Sequence, residues 1–152
     1  MELLDRITQS LTARGRLVNQ LAILTGQMQE LAERIARHAE ACVYPQMKDS
    51  LQEVTAAARA QVKVLNGILS DNRVWSKPPE RPAHQGINNW ERVSGDLVTL
   101  GRLNVDLNQH SVRWMTIDAD IAERLRTLVS EQIALIDKLQ EVAARSDPQA
   151  ID

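Results

Sequence analysis

Four stretches of this chain carry apolar residues at steps of three and four positions. Such steps place each set on one side of an α-helix, which completes a turn every ~3.6 residues. The four sets are Leu17, Leu21, Leu24, Met28, Leu31, Ile35 and Cys42; Met47, Leu51, Val54, Ala58, Leu65 and Ile68; Trp90, Val93, Leu97, Leu100, Leu107 and Trp114; and Ile121, Leu125, Leu128, Leu135, Leu139 and Val142. No strand pattern is visible. The sequence therefore predicts an all-α protein.

Turn-forming residues predict where the first two helices begin and end. Tyr44 precedes Pro45, and a residue before proline is disfavoured in the helical conformation, so the first helix should end there. Pro45 suits the first turn of the second helix, where its missing N–H is no loss. Gly15 weakens the first stretch by about 1 kcal/mol relative to alanine. We therefore expect a short leading segment before a main helix that starts near Arg16.

The region between the second and third helices has a different composition. Residues 71–88 hold three prolines and a glycine, which predicts a Pro-rich connector. Asn88 and Glu91 have the spacing of a capping box, so the third helix should begin just after Asn88. Residues 146–152 are expected to form a frayed tail. The length of the chain suits one hydrophobic core, so residues 1–152 are predicted to form a single helical domain.

Residues 115–118 leave two architectures open. Thr116 or Asp118 would cap a fourth helix, whereas the absence of glycine and proline would allow one continuous C-terminal helix. A turn gives four helices of about 25–28 residues, which suits an antiparallel up-down four-helix bundle. A continuous helix gives a long helical hairpin instead. We favour the bundle, in which strict up-down-up-down order would bring the ends of the first and third helices together.

Composition and charge argue against several classes of partner. The formal net charge is -2 and basic residues are interleaved with acids, so nothing favours binding to nucleic acid or to an anionic membrane surface. The N-terminus lacks the basic flank of a signal peptide, and no long uncharged apolar run could cross a membrane. The one cysteine, Cys42, cannot form an internal disulfide. We therefore expect a cytoplasmic protein.

Catalytic and cofactor patterns are absent from the sequence. Di-iron bundles need inward-facing Glu-x-x-His pairs, and this chain has none. No Gly-rich phosphate loop follows a strand, and no Ser-His-Asp or Cys-His set is convincing. We therefore expect no enzymatic activity and no cofactor.

Two histidines are the strongest polar candidates. His38 and His110 lie on the first and third stripes, with Cys42 and Trp114 close to them in sequence. If the ends of these helices meet, the four residues would form a small pocket for a ligand or a metal, in a ferritin-like bundle without a standard di-iron site. Two histidines and one cysteine without inward carboxylates are a poor ligand set. The favoured interpretation is that they close the end of the bundle.

Large side chains from the connector and the third helix are the candidates for partner binding. Trp75 is either an exposed anchor or a lid folded over the bundle end, and the gain from burying an indole favours the lid. Asn104, Ser111 and Gln132 interrupt the apolar stripes, where they either specify a partner or form ordinary interhelical hydrogen bonds. The candidate partner-binding residues are Trp75, Trp90, Leu97, Leu100, Leu107 and Trp114.

Part of the third helix resembles a known family. The chain has Trp-Glu-Arg-Val from Trp90, then Leu-Gly-Arg-Leu-Asn from Leu100 and Leu-Asn-Gln-His-Ser from Leu107. This pattern, over residues 90–125, resembles the C-terminal helical region of FlgN-type flagellar export chaperones. The first two helices and the proline-rich connector depart from that family's pattern. The resemblance implies a cytosolic chaperone that holds the amphipathic ends of export substrates along the stripe from Leu100 to Leu128.

The predicted function is that of a non-enzymatic interaction protein: a chaperone, adaptor or assembly subunit. It would bind partner helices, or further copies of itself, through amphipathic faces. The rival prediction is the ligand- or metal-binding bundle around His38 and His110. Abundant helical stripes and the absence of catalytic patterns favour the interaction protein.

Overall fold

The computed structural model of the protein describes residues 2–80 and 86–146, with residues 8–11 described for their backbone alone. The helices are α1 (Glu2–Ala41), α2 (Pro45–Asp71), α3 (Asn89–Trp114) and α4 (Ala119–Ser146), and these ranges contain no strand. The predicted all-α fold is confirmed. In this part of the chain no helix is both long and apolar enough to cross a membrane. Of the predicted tail, Ser146 ends α4 and the rest lies outside the described residues.

The helices pack as an antiparallel four-helix bundle, as predicted. α1 packs against α2 and α3, and α4 packs against the same two helices. Arg34 near the end of α1 pairs with Asp96 near the start of α3, so these two helices run in opposite directions. Glu53 of α2 likewise pairs with Lys138 of α4. Each neighbouring pair is therefore antiparallel.

The order of the helices differs from strict up-down-up-down. The start of α3 lies beside the end of α1, so the hairpins α1–α2 and α3–α4 are joined by one long crossover, an arrangement also known from ferritin-like bundles. The expectation that the ends of the first and third helices meet is therefore wrong. The connector makes this order feasible, because residues 72–88 can extend to about 55 Å. The 26 residues of α3 span only about 39 Å.

The crossover lies along α1. The backbone N–H of Lys77 donates to the carbonyl of Ala22 at 3.0 Å, and the hydroxyl of Ser76 donates to Gln29 at 3.3 Å. Gly26 permits this contact, because a Cβ at that position would overlap the carbonyl oxygen of Lys77. The glycine is thus required for the close approach of the crossover to α1.

The predicted interruption of the first helix at Gly15 is wrong, because α1 is continuous from Glu2 to Ala41. Arg14 explains why the helix persists. Its guanidinium lies 5.5 Å from the ring centroid of Trp114 and 3.3 Å from the carboxylate of Asp118. These tertiary contacts hold this turn in place against the cost of about 1 kcal/mol for a helical glycine.

The turn after α3 is confirmed. The N–H groups of Ile117 and Asp118 donate to the carbonyl of Trp114 at 3.0 and 2.8 Å. The side chain of Asp118 then accepts from the N–H groups of Asp120 and Ile121 at 3.1 and 3.2 Å. Of the two predicted caps, Asp118 is the one that begins α4.

The core consists of the four apolar stripes, except for the exposed Trp90 and the half-buried Leu97. Asn104 and Gln132 add a polar contact between α3 and α4. The amide of Asn104 donates to the side chain of Gln132 and to the carbonyl of Val129, both at 3.0 Å. Gln132 is fully buried. Asn104 and Gln132 therefore form an interhelical hydrogen bond, the second of the two predicted roles. Ser111 instead donates to the carbonyl of Asn108 within α3 at 2.7 Å.

Candidate protein-interaction site

Four helix termini meet around a cleft at one end of the bundle, which we call the end cleft. The turn from α1 to α2, the start of α3 and the last residues of α4 enclose a volume of about 420 Å³. It is lined by Tyr44, Met47, Asn88, Asn89, Trp90, Arg145 and Ser146. Because every adjacent pair is antiparallel, this end holds two helix starts and two helix ends.

Large apolar side chains at this end remain in water. Tyr44 is 58% exposed and Trp90 is 41% exposed, although both line the end cleft. Val43 and Ile87, their neighbours in sequence, are 79% and 77% exposed. Scattered exposed apolar residues are common, but a contiguous apolar area around a cleft marks a binding surface.

The backbone holds these side chains in defined positions. Asn88 accepts a hydrogen bond from the N–H of Glu91 at 2.8 Å, which confirms the predicted cap of α3. The carboxylate of Glu91 accepts from the N–H of Ile87 at 3.0 Å. Trp90 therefore sits in the first turn of a capped helix. Across the cleft, Pro45 begins α2 immediately after Tyr44.

Cys42 serves as a buried hydrophobic residue beneath this turn. Its side chain belongs to the core, and its thiol points towards the carbonyl of Tyr44 at 3.7 Å. Free cysteines in such positions behave as small apolar residues.

A buried charged cluster lies between α1 and α3. Asp96 is 0%, Arg34 is 1% and His38 is 3% exposed. The Nε of Arg34 donates to Oδ1 of Asp96 at 2.8 Å, and Nδ1 of His38 lies 2.5 Å from Oδ2 of the same carboxylate. A second guanidinium nitrogen of Arg34 donates to the hydroxyl of Thr99 at 2.9 Å. One carboxylate thus connects two basic side chains of the neighbouring helix.

The cluster fixes how α1 and α3 pair. A carboxylate that holds a histidine through Nδ1 is the arrangement of catalytic triads. Here all three side chains are closed off from solvent. Among the described residues Nε2 of His38 has no hydrogen-bond partner, and Nη1 of Arg34 forms an ion pair with Glu30 at 3.5 Å. A buried ion pair stabilises little relative to apolar residues but disfavours other registers. The geometry therefore supports a structural role.

The sequence contained a signal for this cluster that we did not use. Arg34 lies three residues after Leu31 and four before His38, and Asp96 lies three residues after Val93. Both charges therefore occupy stripe positions, where opposite charges on different helices predict a buried pair.

The predicted pocket of His38, His110, Cys42 and Trp114 does not exist, because α1 and α3 are antiparallel. His110 lies against Gln20 and Leu24 of α1, beside a cavity of about 270 Å³. Leu24 and His38 are 14 positions apart, or about 21 Å along the helix. Within the described ranges, no group of three or more His, Cys, Asp or Glu residues could hold a metal ion.

The pKa of His110 is lowered in this position. Burial lowers the pKa of its imidazole, the nearby charge of Arg113 lowers it further, and Asp106 partly opposes both. The Nδ1 atom of His110 is buried without a hydrogen-bond partner in the described part of the chain. The neutral imidazole is therefore the favoured form in the folded protein.

The structure separates the six predicted partner-binding residues. Trp75 is 78% exposed, so the predicted lid is wrong: Val74 packs against the core instead, as the crossover turns onto α1. Trp90 lines the end cleft. Leu97 is half-buried, and the remaining three lie in the core and face no solvent: Leu100, Leu107 and Trp114. Those core residues cannot contact a partner on the surface of this bundle.

Tyr44, Met47 and Arg145 line the end cleft without having been predicted. They come from helix ends that are distant in the sequence. Comparisons with protein-family models, with curated proteins and with solved structures find no match.

Proposed function

We propose that this protein is a non-enzymatic interaction protein, a chaperone, adaptor or assembly subunit, that binds an apolar segment of a partner at the end cleft. The exposed apolar surface around Tyr44 and Trp90 carries the proposal. Trp, Tyr, Met and Arg are enriched at protein interfaces, and Trp, Tyr and Arg dominate binding hot spots. The cleft is lined by one residue of each of these four types.

The size of the cleft supports binding of a short segment. A volume of about 420 Å³ accommodates one or two large side chains. Val43 and Ile87, which are adjacent in sequence to the lining residues Tyr44 and Asn88, are also exposed. A partner would place an anchor between Tyr44 and Trp90 and cover the rim with weaker contacts. We place this activity in the cytoplasm, in keeping with the expectation from the sequence.

The resemblance to FlgN-type flagellar export chaperones is compatible with this class of function. It implies that the partner is the amphipathic end of an export substrate. The stripe that it assigns to substrate binding, from Leu100 to Leu128, is largely buried here. A chaperone of this structure would therefore hold its substrate at the end cleft, unless the two hairpins separate.

A second candidate is self-association through the beginning of α1. This helix has 40 residues, whereas the others have 26–28. Arg14 contacts the turn before α4, so residues 2–12 extend past the other helices. Leu3, Leu4 and Ile7 are exposed there. Sedimentation velocity across concentrations, with and without residues 2–10, tests this candidate: a monomer throughout contradicts it.

The test of the main proposal is crosslinking and mass spectrometry in a lysate of the organism that makes the protein. The cleft variant is Tyr44→Ser with Trp90→Ser. The matched control is Val98→Ser with Val105→Ser, which removes two exposed apolar residues from the outer face of α3. We expect the same partner with the wild type and the control, and its loss with the cleft variant. Equal recovery with all three proteins contradicts the proposal.

A further inference from the structure

We infer that the end cleft recognises an apolar segment that carries an acidic side chain next to its anchor. This inference rests on the proposed function and names the chemistry of the partner. Arg145, in the last turn of α4, lines the cleft beside Tyr44, Met47 and Trp90. The cleft thus combines an apolar wall with a single cation.

Among residues 2–80 and 86–146, no acid competes for Arg145. None of these residues that line the cleft is Asp or Glu, and none of them forms an ion pair with Arg145. Glu91, the nearest acid to Trp90 in sequence, is directed at the N–H of Ile87 instead. A carboxylate from a partner would therefore meet an unpaired guanidinium, the group that best matches it in geometry.

The helix ends around the cleft do not cancel this charge. The start of α3 contributes positive partial charge, and the end of α4 contributes negative partial charge. These two contributions oppose each other, which leaves the guanidinium of Arg145 as the main charge at the site. Charge complementarity therefore favours an acidic residue over a neutral or basic one.

The segment that fits is an Asp or Glu side chain flanked by a large aliphatic or aromatic residue. The apolar residue would enter between Tyr44 and Trp90, and the carboxylate would pair with Arg145. The exposed rim at Val43 and Ile87 would contact a second apolar residue. Acidic amphipathic segments of partner proteins have this pattern.

The experiment uses the full chain and three peptides with acetylated N-termini. The first is acetyl-Leu-Glu-Leu-amide, and its isosteric control is acetyl-Leu-Gln-Leu-amide. The third, acetyl-Leu-Gln-Leu with a free carboxyl end, offers the same charge from the chain terminus. Binding is followed by the indole N–H signals in two-dimensional NMR, up to about 10 mM peptide. Trp75 on the crossover and Trp114 in the core provide internal controls.

The expected result is a shift of the Trp90 signal alone, with the Glu peptide binding about three- to tenfold more tightly than the Gln peptide. Arg145→Gln should reduce the affinity for the Glu peptide to that for the Gln peptide. Arg102→Gln, an exposed arginine in the middle of α3, should change neither. Tyr44→Ser, which keeps the indole of Trp90 as the reporter, should weaken binding of both peptides.

Several outcomes overturn the inference. Equal affinities for the Glu and Gln peptides would exclude acidic recognition and leave the apolar docking function intact. If the peptide with the free carboxyl end binds more tightly than the Glu peptide, the carboxylate that Arg145 recognises is a chain terminus rather than an acidic side chain. A Trp90 signal that changes with protein concentration alone would identify a second copy as the occupant. If no peptide shifts Trp90, both the inference and the docking function at this cleft are wrong.

Discussion

Asp96 shows how one residue determines the pairing of two helices. Its carboxylate is buried and bonded to both Arg34 and His38 of α1. A charge in the core is tolerated only where a partner compensates it, because removal from water costs several kcal/mol per ion. Any shift of α3 along α1 by one turn would leave two or three buried polar groups unpaired. The cluster therefore selects one register rather than adding much stability.

Replacing Asp96 with asparagine should destabilise the protein by about 3 kcal/mol. The amide keeps the shape of the side chain but removes the carboxylate that faces Nε of Arg34, so that Glu30, 3.5 Å from Nη1, is the counter-charge that remains. Urea unfolding measures the change. The control is Glu33→Gln, which breaks the exposed pair with Arg59 and should cost less than about 1 kcal/mol. If Asp96→Asn and Glu33→Gln lower the free energy of unfolding by similar amounts, the buried cluster is not shielded from water.

His110 should make the stability of the protein depend on pH below its ordinary pKa of 6.5. Burial and Arg113 lower the pKa in the folded state, so above pH 6.5 the imidazole is neutral in both states and has no effect. As the pH falls below 6.5, the unfolded chain binds the proton first. Stability is then lost until the pH reaches the folded-state pKa, and is constant below it.

The measurement is the midpoint of urea unfolding between pH 7.5 and 5. His110→Gln should lose less stability over this range than the wild type, since glutamine does not titrate. The comparison of slopes removes the contribution of every titratable group that the two proteins share. Parallel slopes would mean that His110 protonates equally in the folded and unfolded states.

At the scale of helices, the sequence predicted a helix boundary correctly where residues within a few positions of it determine where the helix begins. Pro45 begins α2, and the side chain of Asn88 caps α3. Asp118 caps α4 by accepting from the N–H groups of residues two and three positions further along the chain. The continuation of α1 through Gly15 depends instead on contacts of Arg14 with distant residues. A single sequence shows the cost of the glycine but not the tertiary contacts that offset it.

Two glycines of α1 should respond in opposite ways to alanine. A Cβ at Gly15 meets no atom within 4 Å, so Gly15→Ala should stabilise the protein by about 0.5–1 kcal/mol through helix propensity. Gly26→Ala gains the same propensity, but its Cβ would overlap the carbonyl of Lys77. It should displace the crossover from α1.

The two variants are distinguished by thermal unfolding and by hydrogen exchange of the Lys77 amide, which donates to Ala22. We expect a higher midpoint and unchanged exchange for Gly15→Ala. For Gly26→Ala we expect no gain in the midpoint and faster exchange at Lys77. Equal stabilisation by both substitutions would show that the crossover does not rest on α1.

At the scale of the whole molecule, the order of the helices decided where functional residues meet. The stripes predicted four helices and an antiparallel bundle. They did not distinguish strict up-down-up-down order from two hairpins joined by a long crossover, because both arrangements bury the same stripes. His38 and His110 were therefore expected to meet, but in the structure they lie far apart. Tyr44 and Arg145 line one cleft, although no local pattern connects them. Trp90 was predicted because it is a large aromatic residue at a helix start.

The observed order requires a connector long enough to travel the length of the bundle. α3 spans about 39 Å, and residues 72–88 extend to about 55 Å. Without residues 81–83 the connector still extends to about 46 Å, which exceeds the span of α3, so that variant should stay a monomer. Without residues 77–85 the connector extends to no more than about 30 Å. The α3–α4 hairpin of this shorter variant therefore cannot reach α1 of its own chain.

The hairpins of the shorter variant should then pair between two chains, because each hairpin still exposes an apolar face that only the other hairpin covers. Light scattering after gel filtration should show a dimer with unchanged helix content by circular dichroism. The Asp96 cluster would re-form between the chains, so Asp96→Asn should dissociate or unfold this dimer. A monomer as stable as the wild type would instead mean that the short connector permits up-down-up-down order, in which α3 runs parallel to α1 and Arg34 cannot reach Asp96.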